Sequence, residues 1–321
     1  MSDDEQYLNR TINTETTLEK LLLATLKEQK SQRRWKIFFR FCYLVIFIIL
    51  FLLIRNSLGS SSTDKLKAHT ALVTLEGEIS ATNSANASDI IESLDAAFAD
   101  SNTQGVILSI NSPGGSPVQS SEIYNEIKRQ RELHPKIKLY AVCEDICASG
   151  SYYVAAAADD IYVNPSSLVG SIGVLMDGFG FVGTMDKLGV QRRLATAGSH
   201  KGFMDPFSPE SDSDKIYLQT MLDDLHNQFI NNVKAGRGNR LKSDPDLFSG
   251  LVWTGDRAVQ LGLADGFGSV NEVARNTIKA EDIVDYTQKQ SPLANLMSVL
   301  GSSSAKTFAK VTGLSAEPHL Q

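Results

Sequence analysis

The chain has 321 residues, of which 42% are hydrophobic and 21% charged, with 23 Gly and 9 Pro. That composition is globular, excludes collagen-like, coiled-coil and wholly disordered classes, and fits one large or two small domains. A net charge of −6 argues against a broadly basic nucleic-acid binder, and three cysteines (Cys42, Cys143, Cys147) are too few for a disulfide scaffold.

Charge is spread unevenly. Residues 1–58 hold nine Arg/Lys against six Asp/Glu, and the remaining 263 hold 22 against 31. A boundary near residue 58 therefore separates two environments. Residues 16–25 are amphipathic, with Thr16 and Glu19 spaced as a capping box, and fit a frayed helix as well as a docking site. Residues 37–54 are apolar except for Arg40. At about 1.5 Å per residue they give roughly 27 Å of helix, close to the hydrocarbon thickness of a bilayer. Lys27, Lys30, Arg33, Arg34, Lys36 and Arg40 lie on the N-terminal side, and only Arg55, Lys65 and Lys67 on the other. The positive-inside rule then puts the N-terminus in the cytoplasm and the rest across the membrane. A cleaved signal peptide ending near Ser57-Leu58-Gly59 competes with this reading, but the preceding stretch of roughly 36 residues is too long for an n-region. The organisation expected is a cytoplasmic segment (1–36), a transmembrane helix (37–54), a polar linker (55–69), a folded body (70–287) and a mobile tail (288–321).

Within the body, strand-like and helical runs alternate. Strands are predicted at 71–75, 105–110, 138–142, 160–163 and 190–195. Helices are predicted at 88–99 (with Ser88 as N-cap), 117–134, 149–158, 181–188 and 213–234. Strands alternating with helices imply parallel β-α-β units and a layered α/β fold.

Three loops follow predicted strands, where α/β folds gather their ligands. In Asn111-Ser112-Pro113-Gly114-Gly115-Ser116, glycines let backbone N–H groups approach a ligand. The loop suits either an oxyanion hole or a plain strand-to-helix turn. In Cys147-Ala148-Ser149-Gly150-Ser151, a serine at a strand-to-helix turn has the logic of a nucleophile elbow, or of an ordinary N-cap. In Gly198-Ser199-His200-Lys201-Gly202, Lys201 is either an unprotonated lysine or a solvated one. The histidines assemble no triad, no Cys/His spacing reads as a zinc site, and Cys143 and Cys147 are spaced C-x3-C rather than as a redox pair.

These loops, in this order, resemble the signal peptide peptidase A family of membrane-anchored serine proteases. The matching stretches are INSPGGS (110–116), ASGSYYVA (148–155), GSIGV (170–174), GSHKG (198–202) and GLVWTGDRAVQLGLAD (250–265). One departure is Ser151, where the family usually has glycine. The resemblance implies a Clp protease/crotonase-like fold, with Ser149 as nucleophile and Lys201 as general base. It makes Gly114, Gly115 and Gly150 the oxyanion and substrate-binding backbone, and it implies no metal or cofactor. Lysine serves as a base only if its pKa falls from about 10.4 toward neutrality, which burial away from carboxylates achieves. Asp205 is placed close enough in sequence to oppose this.

The partners implied are remnant signal peptides or other unfolded apolar peptides, the bilayer through residues 37–54, and further copies in a ring-like homo-oligomer such as an octamer; nucleic acid is not among them. The location implied is a bacterial inner membrane with the catalytic domain on the periplasmic side. Alternatives are a SohB-like or stomatin-associated membrane protease, a crotonase-type acyl-CoA enzyme, and a non-catalytic membrane scaffold.

Overall fold

The computed structural model describes residues 67–288 and, before them, residue 30, residues 32–49 and residue 51. They fall into two units, divided between residues 60 and 61. In the first, residues 32–49 form helix α1, whose Trp35 ring stacks on Phe39 at 5.7 Å. No helix among the described residues is long and apolar enough to cross a membrane. The expected span 37–54 runs past them at positions 50 and 52–54, and the 16–25 helix, most of the linker and nearly all of the tail also lie outside them.

The second unit is built on a sheet of eight strands. They are β1 (His69–Glu76), β2 (Thr103–Ser112), β3 (Lys138–Ala148), β4 (Asp160–Val163), β5 (Leu168–Gly170), β6 (Val252–Thr254), β7 (Gly266–Phe267) and β8 (Ile283–Asp285). The main path runs β6-β5-β3-β2-β1-β8. All pairings are parallel except β5 with β6. Strand β3 forks. Its first half, from Tyr140 to Cys143, pairs with β4, and its end, from Ile146 to Ala148, pairs with β5. The end of β3, which leads into the Ser149 turn, is thus paired with β5 and not with β4.

The helices are α2 (Ala87–Ala99), α3 (Pro117–Leu133), α4 (Gly150–Ala155), α5 (Val182–Leu188), α6 (Asp212–Arg237), α7 (Gly255–Leu261) and α8 (Val270–Glu272), the last continued by a π-helical turn, Val273–Ile278. Alternation along the strands divides the core. Ala71, Val73, Leu75, Val106, Leu108, Ile110, Leu139 and Ala141 face a large cluster with Ile90 and Leu94 of α2, Ile123 and Ile127 of α3, and Val154 of α4. Ile107 and Val142 point the other way, onto Val273 and Ala274. Burial on both faces explains why the central strands read as unbroken apolar runs.

Several expectations need correction. Helix α2 is capped by Asn86, whose side chain accepts from Asp89 N–H, and not by Ser88. The helix expected at 149–158 is the shorter α4, Gly150–Ala155. Residues 190–195 form no strand; they are exposed and belong to a long open segment in which α5 is the only helix between residues 174 and 211. Gln191, Arg192 and Arg193 form an unbroken polar run between Val190 and Leu194, so the segment lacks the alternation of a half-buried strand, and among the described residues no strand pairs with it.

Candidate active site

The site is made where β2 and β3 end. After Ser112 the chain turns through Gly114 (φ 97°) and Gly115 (φ 147°), then enters α3 with Ser116 as its N-cap. The loop is held by an isolated bridge to Ile79: Ile79 N–H donates to Gly114 O at 2.8 Å, and Ser116 N–H to Ile79 O at 2.8 Å. Both glycines are required. A Cβ on Gly115 would overlap the Ile79 carbonyl. A Cβ on Gly114 would lie 2.6 Å from Gly150 N and 2.8 Å from Ser149 Cβ, so the loop packs directly on the serine turn.

After Ala148, Ser149 adopts φ 55° and ψ −126°. A non-glycine residue there carries roughly 1–3 kcal/mol of strain. The position is the N-cap of α4, yet the Ser149 side chain makes no capping hydrogen bond. This separates the two readings of the sequence: the hydroxyl is not spent on the helix end. The turn is held instead through its backbone, Ser149 N–H donating to Gly170 O at 2.8 Å. Ser149 is half-buried and lines a cleft of about 470 Å³.

Nearby amides sort by what already occupies them. Gly114 N–H donates to Ser112 Oγ at 3.1 Å, and Ser149 N–H to Gly170. Gly115 N–H and Gly150 N–H have no acceptor among the described residues. They come from the two abutting loops, and both residues line the Ser149 cleft. Gly115 N lies 3.3 Å from the point where a Cβ on Gly150 would stand. A serine hydroxyl beside two free backbone donors is the geometry acyl transfer needs.

The remaining cleft wall mixes apolar groups (Tyr153, Val174, Leu175, Leu225, Phe229) with Ser120, Ser121, Ser171, Gln228 and Ser249. Ser171, at φ 51°, was not singled out as a site residue by the sequence reading, although it lies within GSIGV. The contribution of α6, through Leu225, Gln228 and Phe229, was also missed. Tyr153 packs between Tyr124 at 5.2 Å and Phe229 at 5.0 Å, fixing this side of the cleft.

Lys201 is not brought to Ser149 within this chain. It is exposed on the 198–204 turn, outside the cleft lining, with its N–H on Gly198 O at 3.2 Å. The Asp205 carboxylate accepts from Ser208 Oγ at 2.7 Å and pairs with Arg192 at 3.2 Å, and no ion pair between it and Lys201 is formed among the described residues. The Ser208 hydroxyl, the Phe207 N–H and Arg192 hold its pKa below the ordinary carboxylate value. Cys143 and Cys147 are buried free thiols, and burial, with Cys147 beside it, pushes the Cys143 thiol well up.

Fold and site together define a serine-type peptidase domain. Comparison with known proteins gives its family. The model for peptidase family S49 matches residues 131–283, and that for Clp protease matches residues 61–167. The provisionally named protease slr0021 of Synechocystis sp. is 32% identical over 216 residues, covering 65% of this chain and 76% of that protein. The provisionally named signal peptide peptidase SppA of Enterococcus faecium is 31% identical over 188 residues, 59% of this chain and 54% of that one. A Brucella abortus protein named Na(+)/H(+) antiporter NhaA is 48% identical over 184 residues, 57% of this chain, but the match spans only 25% of that longer protein. The chain belongs to peptidase family S49.

Proposed function

We propose that the protein is a membrane-anchored Ser/Lys endopeptidase that degrades extended apolar peptides, remnant signal peptides among them, through an acyl-enzyme. The observation that carries this reading is the strained Ser149, its hydroxyl uncommitted, in one cleft with the free amides of Gly115 and Gly150.

In the mechanism, Ser149 Oγ attacks the scissile carbonyl carbon and its proton passes to the Lys201 amine. Negative charge develops on the carbonyl oxygen, and Gly115 N–H and Gly150 N–H donate to it. Each such donor is worth roughly 3–4 kcal/mol in the transition state. The C–N bond then breaks, Lys201 returns the proton to the leaving amine, and water hydrolyses the ester on Ser149. Lysine acts as a base only where burial keeps it unprotonated. Lys201 is exposed in the isolated chain, as are Leu175, Phe179 and Leu188 of the same open segment, at 81%, 79% and 72%. Large apolar side chains this exposed suit burial against a partner. Packing against further copies in a homo-oligomer would cover it, desolvate Lys201 and bring that amine to a Ser149 cleft.

Substrate class follows from the cleft. Its apolar wall of Val174, Leu175, Leu225 and Phe229 suits apolar side chains in an extended chain. Anchorage through residues 37–54, with the peptidase domain on the periplasmic side of a bacterial inner membrane, would concentrate such peptides near it. Among the described residues no carboxylate lines the cleft, which disfavours an acyl-CoA enzyme relying on acidic catalysts. The test is turnover of a synthetic signal peptide, a folded membrane protein and an acyl-CoA by detergent-solubilised full chain. Cleavage of the signal peptide, lost in Ser149→Ala and Lys201→Ala, is expected. Cleavage of the membrane protein alone would favour the SohB-like alternative.

A further inference from the structure

We propose that Ser151 is a positioning residue whose hydroxyl sets the spacing between the two loops that form the Ser149 site. The inference rests on the peptidase reading above and adds a part to it. Ser151 is fully buried, at 0% exposure, and never reaches the cleft. Its Oγ lies 2.7 Å from Ser112 O and 2.8 Å from Ala148 O. Ser112 is the last residue of β2 and Ala148 the last of β3. One hydroxyl proton is therefore shared between the two carbonyls from which the two site loops depart.

Strand pairing alone does not fix this spacing. The β2–β3 register runs regularly to Ile110 opposite Cys143, then breaks, and resumes with Ser112 opposite Cys147. The irregularity falls just where the loops begin. Ser151 Oγ closes the gap from below. Ser112 is then held twice, by its carbonyl to Ser151 and by its own Oγ, which accepts from Gly114 N–H at 3.1 Å. That arrangement consumes the Gly114 amide and leaves the Gly115 amide free beside Gly150. Moving Ser112 against Ala148 would move Gly115 N–H against Ser149 and Gly150 N–H by a similar amount.

The consequence is specific to the reaction. The oxyanion exists only in the transition state, so displaced donors lower kcat and leave substrate binding nearly untouched. Loss of a whole donor costs a factor of about 100–1000, and a displacement costs less, so about tenfold is expected. A hydroxyl that merely filled a buried polar site would lower thermal stability and leave turnover per folded molecule unchanged.

The experiment measures kcat and KM on a fluorogenic apolar peptide, with melting temperature, for the full-length parent, Ser149→Ala, Ser151→Ala and Ser151→Gly, well below every melting temperature and per folded molecule. Two Ser151 variants guard against one failing to fold, and both remove the hydroxyl without adding bulk. Turnover surviving in Ser149→Ala would sink the peptidase reading itself, whatever Ser151 does. With parent turnover lost in Ser149→Ala, the expected result is kcat lower by about tenfold in both Ser151 variants and KM within about twofold. Parent-like kcat with only a lower melting temperature, or a change confined to KM, would overturn the positioning role.

Discussion

Gly114→Ala tests the packing of the site with a single methyl group. The new Cβ would stand 2.6 Å from Gly150 N, 2.7 Å from Ala148 O and 2.8 Å from Ser149 Cβ. Ordinary contact begins near 3.4 Å, so the glycine loop and the serine turn must separate by roughly 0.6–0.8 Å. The position also has φ 97°, which an L side chain rarely adopts and which adds about 1–3 kcal/mol of strain. For a domain of this size that strain lowers the melting temperature by roughly 2–12 °C. The catalytic loss is expected to be larger. The atoms forced apart belong to Ser149 and to both amide donors, and a misplacement near 1 Å costs about 100-fold. Steady-state peptide turnover and thermal unfolding of the same preparation separate the two effects. A folded Gly114→Ala protein with parent-like kcat would refute the idea that these loops form a preorganised site.

Two further outcomes follow. If a neighbouring copy supplies Lys201, mixing inactive Ser149→Ala and Lys201→Ala chains before assembly restores roughly a quarter of parental activity, the fraction of adjacent pairs with both groups intact under random assembly; a mixture as dead as its components would place Ser149 and Lys201 in one chain. Asp265 should govern acid stability. Burial opposes its charge, but hydrogen bonds from Arg237 and from Ile161 N–H, with the charges of Arg237 and Arg240, outweigh this and hold its pKa below the ordinary value. Its contribution is therefore fully present above about pH 4 and lost as pH falls through the lowered native pKa. Asp265→Asn leaves the fully buried Arg237 without its carboxylate and should cost about 3–5 kcal/mol at neutral pH. Urea unfolding at pH 7 and pH 3 checks this, and a variant as stable as the parent at pH 7 contradicts it.

The parallel α/β body was legible because its central strands are apolar runs bounded by turn residues, and because α2, α3 and α6 are long enough for their period to show. Strands β5 to β8, of two or three residues each, were not read as elements. They exist because partners are already in place, and so short a segment carries no period of its own. The 190–195 error has another cause: Val190, Leu194 and Ala195 flank three consecutive polar residues, Gln191 to Arg193, which gives no period-2 face to bury, and among the described residues no strand lies ready to pair with them. At the site, Ser149 and the glycine loop were visible as residue types in suitable places. Whether the serine caps a helix, and which amide stays free, depend on one backbone dihedral and on the Ser112 hydroxyl. Neither is written in the sequence. The exposure of Lys201 is the solvated alternative already open for the 198–202 loop; what the sequence does not carry is which copy's cleft its amine would reach, because its neighbours belong to a long segment without regular pairing.

The most direct measurement is peptide mapping by mass spectrometry after a fluorophosphonate reacts with the assembled, detergent-solubilised protein. One adduct is expected, on Ser149, at a rate that falls sharply in Lys201→Ala and to background in Ser149→Ala. An adduct on another serine of the cleft, such as Ser120, Ser171 or Ser249, or unchanged labelling in Ser149→Ala, would contradict it.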